Sequence, residues 1–297
     1  MKRTCRWFLL IVLVSFGLFA GLSWVYAQRL TRARPSVVGE PPPDLPSPVE
    51  SVRFATSDEQ ILSGWLLPSD DRRRGIVLLH GFGGNRKQMV PRARFFREQG
   101  YTVLLYDARA CGESTGDTIT FGYRERHDVV AAVRFLQERG CRDIACLGVS
   151  QGGATILFAA EELRDVKAVI CESVYDEMVH AVDRRMRRYT GLPGCLAGCL
   201  LVPFAEQRLG LSIGEVKPAD HAGKLCCPIL IISGEKDERT WPEDTQRLFE
   251  AAAEPKELWM IPEARHEDLY HCAGYQEKVT SFLRRHLADA GSNDAGR

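Results

Sequence analysis

Neither sign of charge is in surplus, since Lys and Arg number 39 and Asp and Glu number 39. A balanced chain exerts no long-range pull on polyanions, so nucleic acid is not an expected partner. A paired C-x-x-C is also missing, which removes the commonest cysteine metal site. Neither G-x-x-x-x-G-K-S/T nor G-x-G-x-x-G occurs, so a phosphate-cradling nucleotide site is a weak reading. No internal repeat is found. What remains is a globular composition, 45% hydrophobic and 26% charged, that can bury a large core. At 297 residues the chain is long for one domain but usual for an α/β fold.

The ten cysteines invite few conclusions. Cys146 and Cys171 lie in apolar runs, where a thiol behaves as a small hydrophobe, and Cys226-Cys227 opens another. Cys195 and Cys199 are the local pair that suggests a disulfide, but spacing does not fix pairing; buried reduced thiols are expected. The runs Arg72-Arg73-Arg74 and Arg184-Arg185-Met186-Arg187-Arg188 read as solvated faces, the second with an alternative as a contact to anionic headgroups.

From Trp7 to Gln28 no charge appears, behind a start that carries Lys2, Arg3 and Arg6. A bilayer needs about 20 apolar residues in one helix, and Trp24 and Tyr26 sit where interfacial rings prefer to lie. An uncleaved anchor is favoured over a signal peptide cut after Val25-Tyr26-Ala27, because the run is long for a signal sequence. Membrane anchoring through residues 1–34 is therefore expected, with export after cleavage as the alternative. Residues 35–50 hold Pro35, Pro41, Pro42, Pro43, Pro46 and Pro48 and read as a stiff extended linker. A catalytic domain is expected over 51–288 and a flexible tail over 289–297.

Within that domain, Val49 to Thr56 and Ile61 to Leu67 form a hairpin. Strands then alternate with helices: Ile76 to Leu79, helix Arg86 to Gln99, Thr102 to Tyr106, helix Tyr123 to Arg139, and the strand ending at Val149. Val166 to Cys171, Pro228 to Ile232 and Glu257 to Ile261 follow as strands, with helices Glu243 to Ala253 and Tyr275 to Leu287. Such alternation implies a mostly parallel sheet covered by helices on both faces. Residues 175–214 break it and read as an inserted cap. Its apolar part, Leu192 to Phe204, either lines an acyl pocket or packs as a surface excursion.

The organising stretch is Ile144-Ala145-Cys146-Leu147-Gly148-Val149-Ser150-Gln151-Gly152-Gly153, an apolar strand ending in a glycine-flanked serine and followed by a buried helix. Strand, sharp turn and helix are the setting of a nucleophile elbow; a plain Gly/Ser turn is the competing reading. A serine hydroxyl needs a neighbouring base, and that base needs a carboxylate to hold its tautomer. Asp237 is the acid candidate, at the end of the strand Ile229 to Ser233, with Glu235 as a possible helper and Glu172 as the alternate acid. Of seven histidines, His266 directly follows the last strand. His180 and His221 lie in or beside the cap, His127 in a helix, His271 deeper in the next turn, His286 near the terminus, and His80 before the acid. Oxyanion donors are expected at the amides of Gln151 and Phe82, the latter in the loop His80-Gly81-Phe82-Gly83-Gly84-Asn85. Asp107 and Arg109 read as a structural turn.

Taken together, His80-Gly81-Phe82-Gly83, Asp107-x-Arg109-x-x-Gly112-x-Ser114, Gly148-x-Ser150-x-Gly152, Asp237 and His266 resemble the α/β-hydrolase superfamily over about residues 51 to 288. The flavour is that of membrane-anchored α/β-hydrolase-domain proteins and the serine aminopeptidase-like group. The resemblance implies an α/β-hydrolase fold, with nucleophile Ser150, acid Asp237, base His266 and oxyanion donors Phe82 and Gln151. Ala110 departs from the usual Arg-Gly-x-Gly and suggests an altered turn. The expected activity is serine hydrolysis of a carboxylic ester or thioester of a small or lipid-like acyl substrate, with no metal or organic cofactor. An amide or peptide hydrolase is the alternative, and a non-catalytic ligand-binding protein a more distant one. A haloalkane dehalogenase would want aspartate at the elbow.

Overall fold

Two interleaved sets of apolar side chains along each central strand build the molecule. In the computed structural model, which describes residues 2–191 and 193–287, Val77 and Leu79 face one core while Ile76 and Leu78 face the other. The same period of two recurs at Ile144 and Cys146 against Ala145 and Leu147. Strands buried on both sides in this way read as continuous apolar runs. Leu192 and the expected tail at 289–297 lie outside the described residues.

The strands are β1 (Arg34–Pro35), β2 (Glu50–Ala55), β3 (Ile61–Leu67), β4 (Arg74–Leu79), β5 (Thr102–Tyr106), β6 (Cys111–Gly112), β7 (Asp143–Val149), β8 (Val166–Glu172), β9 (Ile229–Gly234) and β10 (Lys256–Ile261). Eight of them form one sheet in the order β10-β9-β8-β7-β4-β5-β3-β2. The pairs from β10 to β5 are parallel, and the hairpin β2–β3 joins antiparallel. The helices are α1 (Lys2–Thr31), α2 (Val90–Glu98), α3 (Arg126–Glu138), α4 (Gln151–Phe158), α5 (Met178–Thr190), α6 (Gly194–Ala197), α7 (Leu201–Leu209), α8 (Ala219–Ala222), α9 (Pro242–Ala251) and α10 (Tyr275–Leu287). On one face α3, α4 and α9 bury Val129, Leu157 and Leu248, and on the other α2 and α10 bury Phe96 and Phe282. This is the expected α/β-hydrolase fold.

Two helices start later than their patterns suggest. Arg86–Met89 forms a tighter turn capped by the Asn85 side chain, and α2 begins only at Val90 with a proline in its first turn. Before α3, the Glu125 carboxylate takes the amides of Thr120 and Gly122, holding residues 120–125 as a turn.

The stretch expected as a cap holds α5, α6 and α7, and part of its apolar content meets α1. Ala27 is fully buried against Met186 and Leu201, with Tyr26, Leu30 and Phe204 beside them. Arg208 donates to the Gln28 side chain at 2.6 Å. Residues after α1 lie on the domain: the Ala33 amide donates to Asp117 O (2.9 Å), Arg34 to Ala110 O (2.6 Å) and Ser36 to Gly112 O (2.8 Å). The start of the Pro-rich stretch is extended and lies on the domain as a docked strap. All ten cysteines are unpaired, and Cys5, Cys195, Cys199 and Cys226 are exposed, against the expectation of burial.

Arg109 anchors the turn after β5. Its Nε and amide bond Asp128 at 2.7 and 2.8 Å, and its outer nitrogens bond Asp58 at 2.6 and 2.9 Å. The fork holds Asp58 well below the ordinary carboxylate range. Ala110 has φ 59°, the left-handed conformation that glycine takes without strain, so the turn keeps its shape at some cost to the alanine. Removing one member of a buried ion pair leaves the other uncompensated. Arg109→Met is therefore expected to lower stability by about 3–5 kcal/mol, measured by urea unfolding; an unchanged midpoint would refute that weight.

Candidate active site

The carboxyl ends of β7, β8, β9 and β10 form one rim, since Val149 pairs with Glu172, Glu172 with Ile232, and Gly234 with Ile261. Ser150 leaves β7 at φ 53° and ψ −113°, a conformation rare for a side chain of any size. Its amide donates to Glu172 O at 2.7 Å, and its carbonyl accepts from Ala154 at 3.0 Å inside α4. The flanking glycines are needed for space. A Cβ on Gly148 would stand 2.3 Å from the Gly152 carbonyl carbon, and one on Gly152 would stand 2.5 Å from Leu79 O.

His266, in the loop after β10, bonds Asp237 through Nδ1 at 2.7 Å. The other oxygen of Asp237 accepts the amides of Arg239 and Thr240 at 2.8 and 2.9 Å. Asp237 is almost wholly buried. A carboxylate fixed by two backbone amides holds the imidazole with its proton on Nδ1 and its Nε2 lone pair available, as a general base requires. Glu235 is exposed.

Ser173 joins this rim together, a role that the sequence reading missed. Its amide donates to Ile232 O (2.9 Å), its carbonyl accepts from Thr240 Oγ1 (3.2 Å), and its hydroxyl reaches His266 O at 3.5 Å. With Glu172 O holding Ser150, two consecutive residues tie the elbow to the loops that carry Asp237 and His266. Only the positive φ of Ser173, 49°, marks its special place, and that is invisible in the chain.

Glu172, the alternate acid, is committed elsewhere. Its fully buried carboxylate takes Arg92 Nε at 3.2 Å, Arg92 Nη2 and the Tyr275 hydroxyl. Burial pushes the Tyr275 hydroxyl well above its ordinary pKa. Burial works against the Arg92 charge, yet Glu172 holds the guanidinium above its usual value. His80 is likewise structural. Its Nε2 accepts the Ala108 amide at 3.0 Å, which leaves Nδ1–H to donate to Gly81 O at 2.8 Å. Burial keeps this imidazole neutral by lowering its pKa.

The oxyanion candidates lie on both sides of the elbow. Gln151 opens α4, where an amide has no carbonyl one turn earlier to bond. Phe82 sits in a loop pinned by Gly81 N–H to Gln88 Oε1 (2.8 Å) and Gly84 N–H to Gly81 O (3.1 Å). Its ring stacks on Phe121, 5.4 Å between centroids, and the Arg34 guanidinium lies 4.6 Å above it.

A second cluster, Asp176, His180 and Asp244, has its ligand atoms within 4.8 Å of one another. Guanidinium groups already answer its charge: Arg247 bonds Asp176 at 2.6 Å and Arg184 bonds Asp244 at 2.6 Å. It fastens α5 to α9, and His180 works there as a bracket.

The two acid candidates separate experimentally. Asp237→Asn is expected to cut kcat by about 10³–10⁴-fold, because the histidine loses its tautomer. Glu172→Gln is expected to lower stability by about 3–5 kcal/mol while kcat per probe-titrated site stays within a few fold. The reverse pattern would move the acid to β8.

The sequence matches the alpha/beta hydrolase family over residues 76–276. YfhR of Escherichia coli (strain K12) is 28% identical over 250 residues, covering 80% of this chain and 81% of its own. The esterase Pf2001 of Pyrococcus furiosus shares the fold at a TM-score of 0.72 and 24% identity, over 86% of this chain and 98% of that one. The crystal structure of the alpha/beta hydrolase GrgF from Penicillium sp. gives a TM-score of 0.65 at 25% identity, over 82% and 100%. With more than half of its length matched to the family and the fold in agreement, the chain belongs to the alpha/beta hydrolases.

Proposed function

We propose that the chain is a membrane-anchored serine hydrolase that cleaves carboxylic esters or thioesters of small or lipid-like acyl compounds. The observation that carries this reading is the His266–Asp237 bond on the same strand rim as the strained Ser150. Ser150 attacks the acyl carbon as His266 Nε2 takes its proton, and Asp237 stabilises the imidazolium that forms. The amides of Gln151 and Phe82 receive the developing oxyanion. His266 then returns the proton to the leaving alcohol or thiol, and a water, activated by the same imidazole, releases the acid. Residues 51–288 are the catalytic domain in this reading and 175–214 its cap.

Among the described residues one helix, Cys5–Thr31, is long and apolar enough to cross a membrane. The burial of Ala27 in the contact with α5 and α7 supports an uncleaved anchor. Cleavage after Ala27 would remove that residue and uncover the apolar side chains of Met186 and Leu201 that it packs against.

A fluorophosphonate probe is expected to label the full chain, and Ser150→Ala to abolish the label. A panel of p-nitrophenyl esters of rising acyl length, beside an aminoacyl anilide, then reads ester against amide preference. Persistent labelling of Ser150→Ala would overturn the assignment of the nucleophile.

A further inference from the structure

The strap that follows α1 brings a cation to the oxyanion loop. Beyond the bonds of Ala33, Arg34 and Ser36, the amides of Val38 and Gly39 both donate to Glu113 Oε1, at 2.9 and 3.0 Å. Arg34 and Pro35 pair in parallel with Cys111 and Gly112. The backbone that carries Arg34 is thus fixed on both sides of it. Its side chain lies over the loop: a Cβ on Gly83 would come within 2.7 Å of Arg34 Cδ and 2.8 Å of Nη1, and Cζ stands 4.6 Å from the Phe82 ring centroid.

Among the described residues no carboxylate pairs with Arg34. Two acids of the adjoining turn are spoken for, since Asp107 takes Arg86 Nη1 at 2.6 Å and Glu113 takes Arg86 Nη2. A half-buried guanidinium without an acid, over the loop that holds a candidate oxyanion donor, is placed to meet an acid that arrives with the substrate. Its planar fork suits a carboxylate or a phosphate, which it can bind through two parallel hydrogen bonds.

We propose that Arg34 is the substrate-recognition residue of this site and that the preferred ester carries an anionic carboxylate or phosphate close to its scissile bond. The inference rests on the ester-hydrolase reading at Ser150. It makes the segment next to the membrane helix part of the substrate site. The anion has two possible sources, a small acid or a phospholipid headgroup, which share this chemistry.

The test uses the full chain in detergent. Mono-p-nitrophenyl glutarate is compared with neutral p-nitrophenyl butyrate, and dioctanoyl phosphatidic acid with dioctanoylglycerol in mixed micelles. Wild type is expected to favour the anionic member of at least one pair, and the favoured pair identifies the source. Arg34→Gln should reduce kcat/KM for that anionic ester tenfold or more, mainly through KM, with less than a twofold change for its neutral partner. Arg34→Lys should restore part of the preference, and 0.5 M NaCl should narrow it in wild type.

Fluorophosphonate labelling of each variant at the wild-type rate shows that the elbow is intact. Equal losses on anionic and neutral esters would make Arg34 a support for the loop and overturn the proposal. So would an absence of anionic preference in both pairs. A wild-type chain that the probe does not label would overturn the hydrolase reading itself, and this inference with it.

Discussion

The carbonyl of Glu172 accepts the amide of Ser150, and the rest of the site is built outward from that bond. It fixes the elbow against the end of β8, so the strain at Ser150 is held by the sheet and not by the loop alone. The side chain of the same residue is locked by Arg92 from α2 and Tyr275 from α10. Helices on one face of the sheet are therefore bonded to the same residue whose carbonyl holds the elbow. A buried network of this kind is effective only when every member is satisfied, and here the carboxylate has three donors. Ser173, next in the chain, carries the constraint on to the loops of Asp237 and His266.

Much of this was legible in the sequence. Apolar runs of strand length, set between helical patterns, identified the parallel sheet, and Gly148-x-Ser150-x-Gly152 marked the elbow because only glycine tolerates such close approach there. Asp237 and His266, which the fold joins by a hydrogen bond, stood out as candidates from their places just after strands. What remained hidden lies in contacts between residues distant in sequence. Arg92 and Glu172 are 80 residues apart, and no local pattern joins them. The prolines after Arg34 announced an extended segment, but an extended segment carries no sign of the surface it lies on.

The excursion between β8 and β9 shows the same limit. Its high content of arginine reads locally as a solvated helix face. In the fold Arg184 lies over the Trp241 ring at 4.0 Å and grips Asp244 at the start of α9. Asp176, His180 and Arg247 complete the fastening. The helix is thereby attached by charge on its α9 side and by apolar contact on its α1 side, through Met186 and Val182. Arg184 and Asp244 are both nearly buried, so salt screens that pair little, whereas the exposed Arg247 leaves its own pairs more open to it.

The contact between α1 and α7 has a mechanical consequence. A leader joined to a domain by a slack tether lets the domain swivel, and its active face samples every direction. Here the leader grips the domain through Ala27, and the chain beyond it is bonded down as far as Gly39, leaving no free length to act as a joint. Helix and catalytic body turn as one rigid piece, so the tilt of the leader sets the bearing of the serine rim.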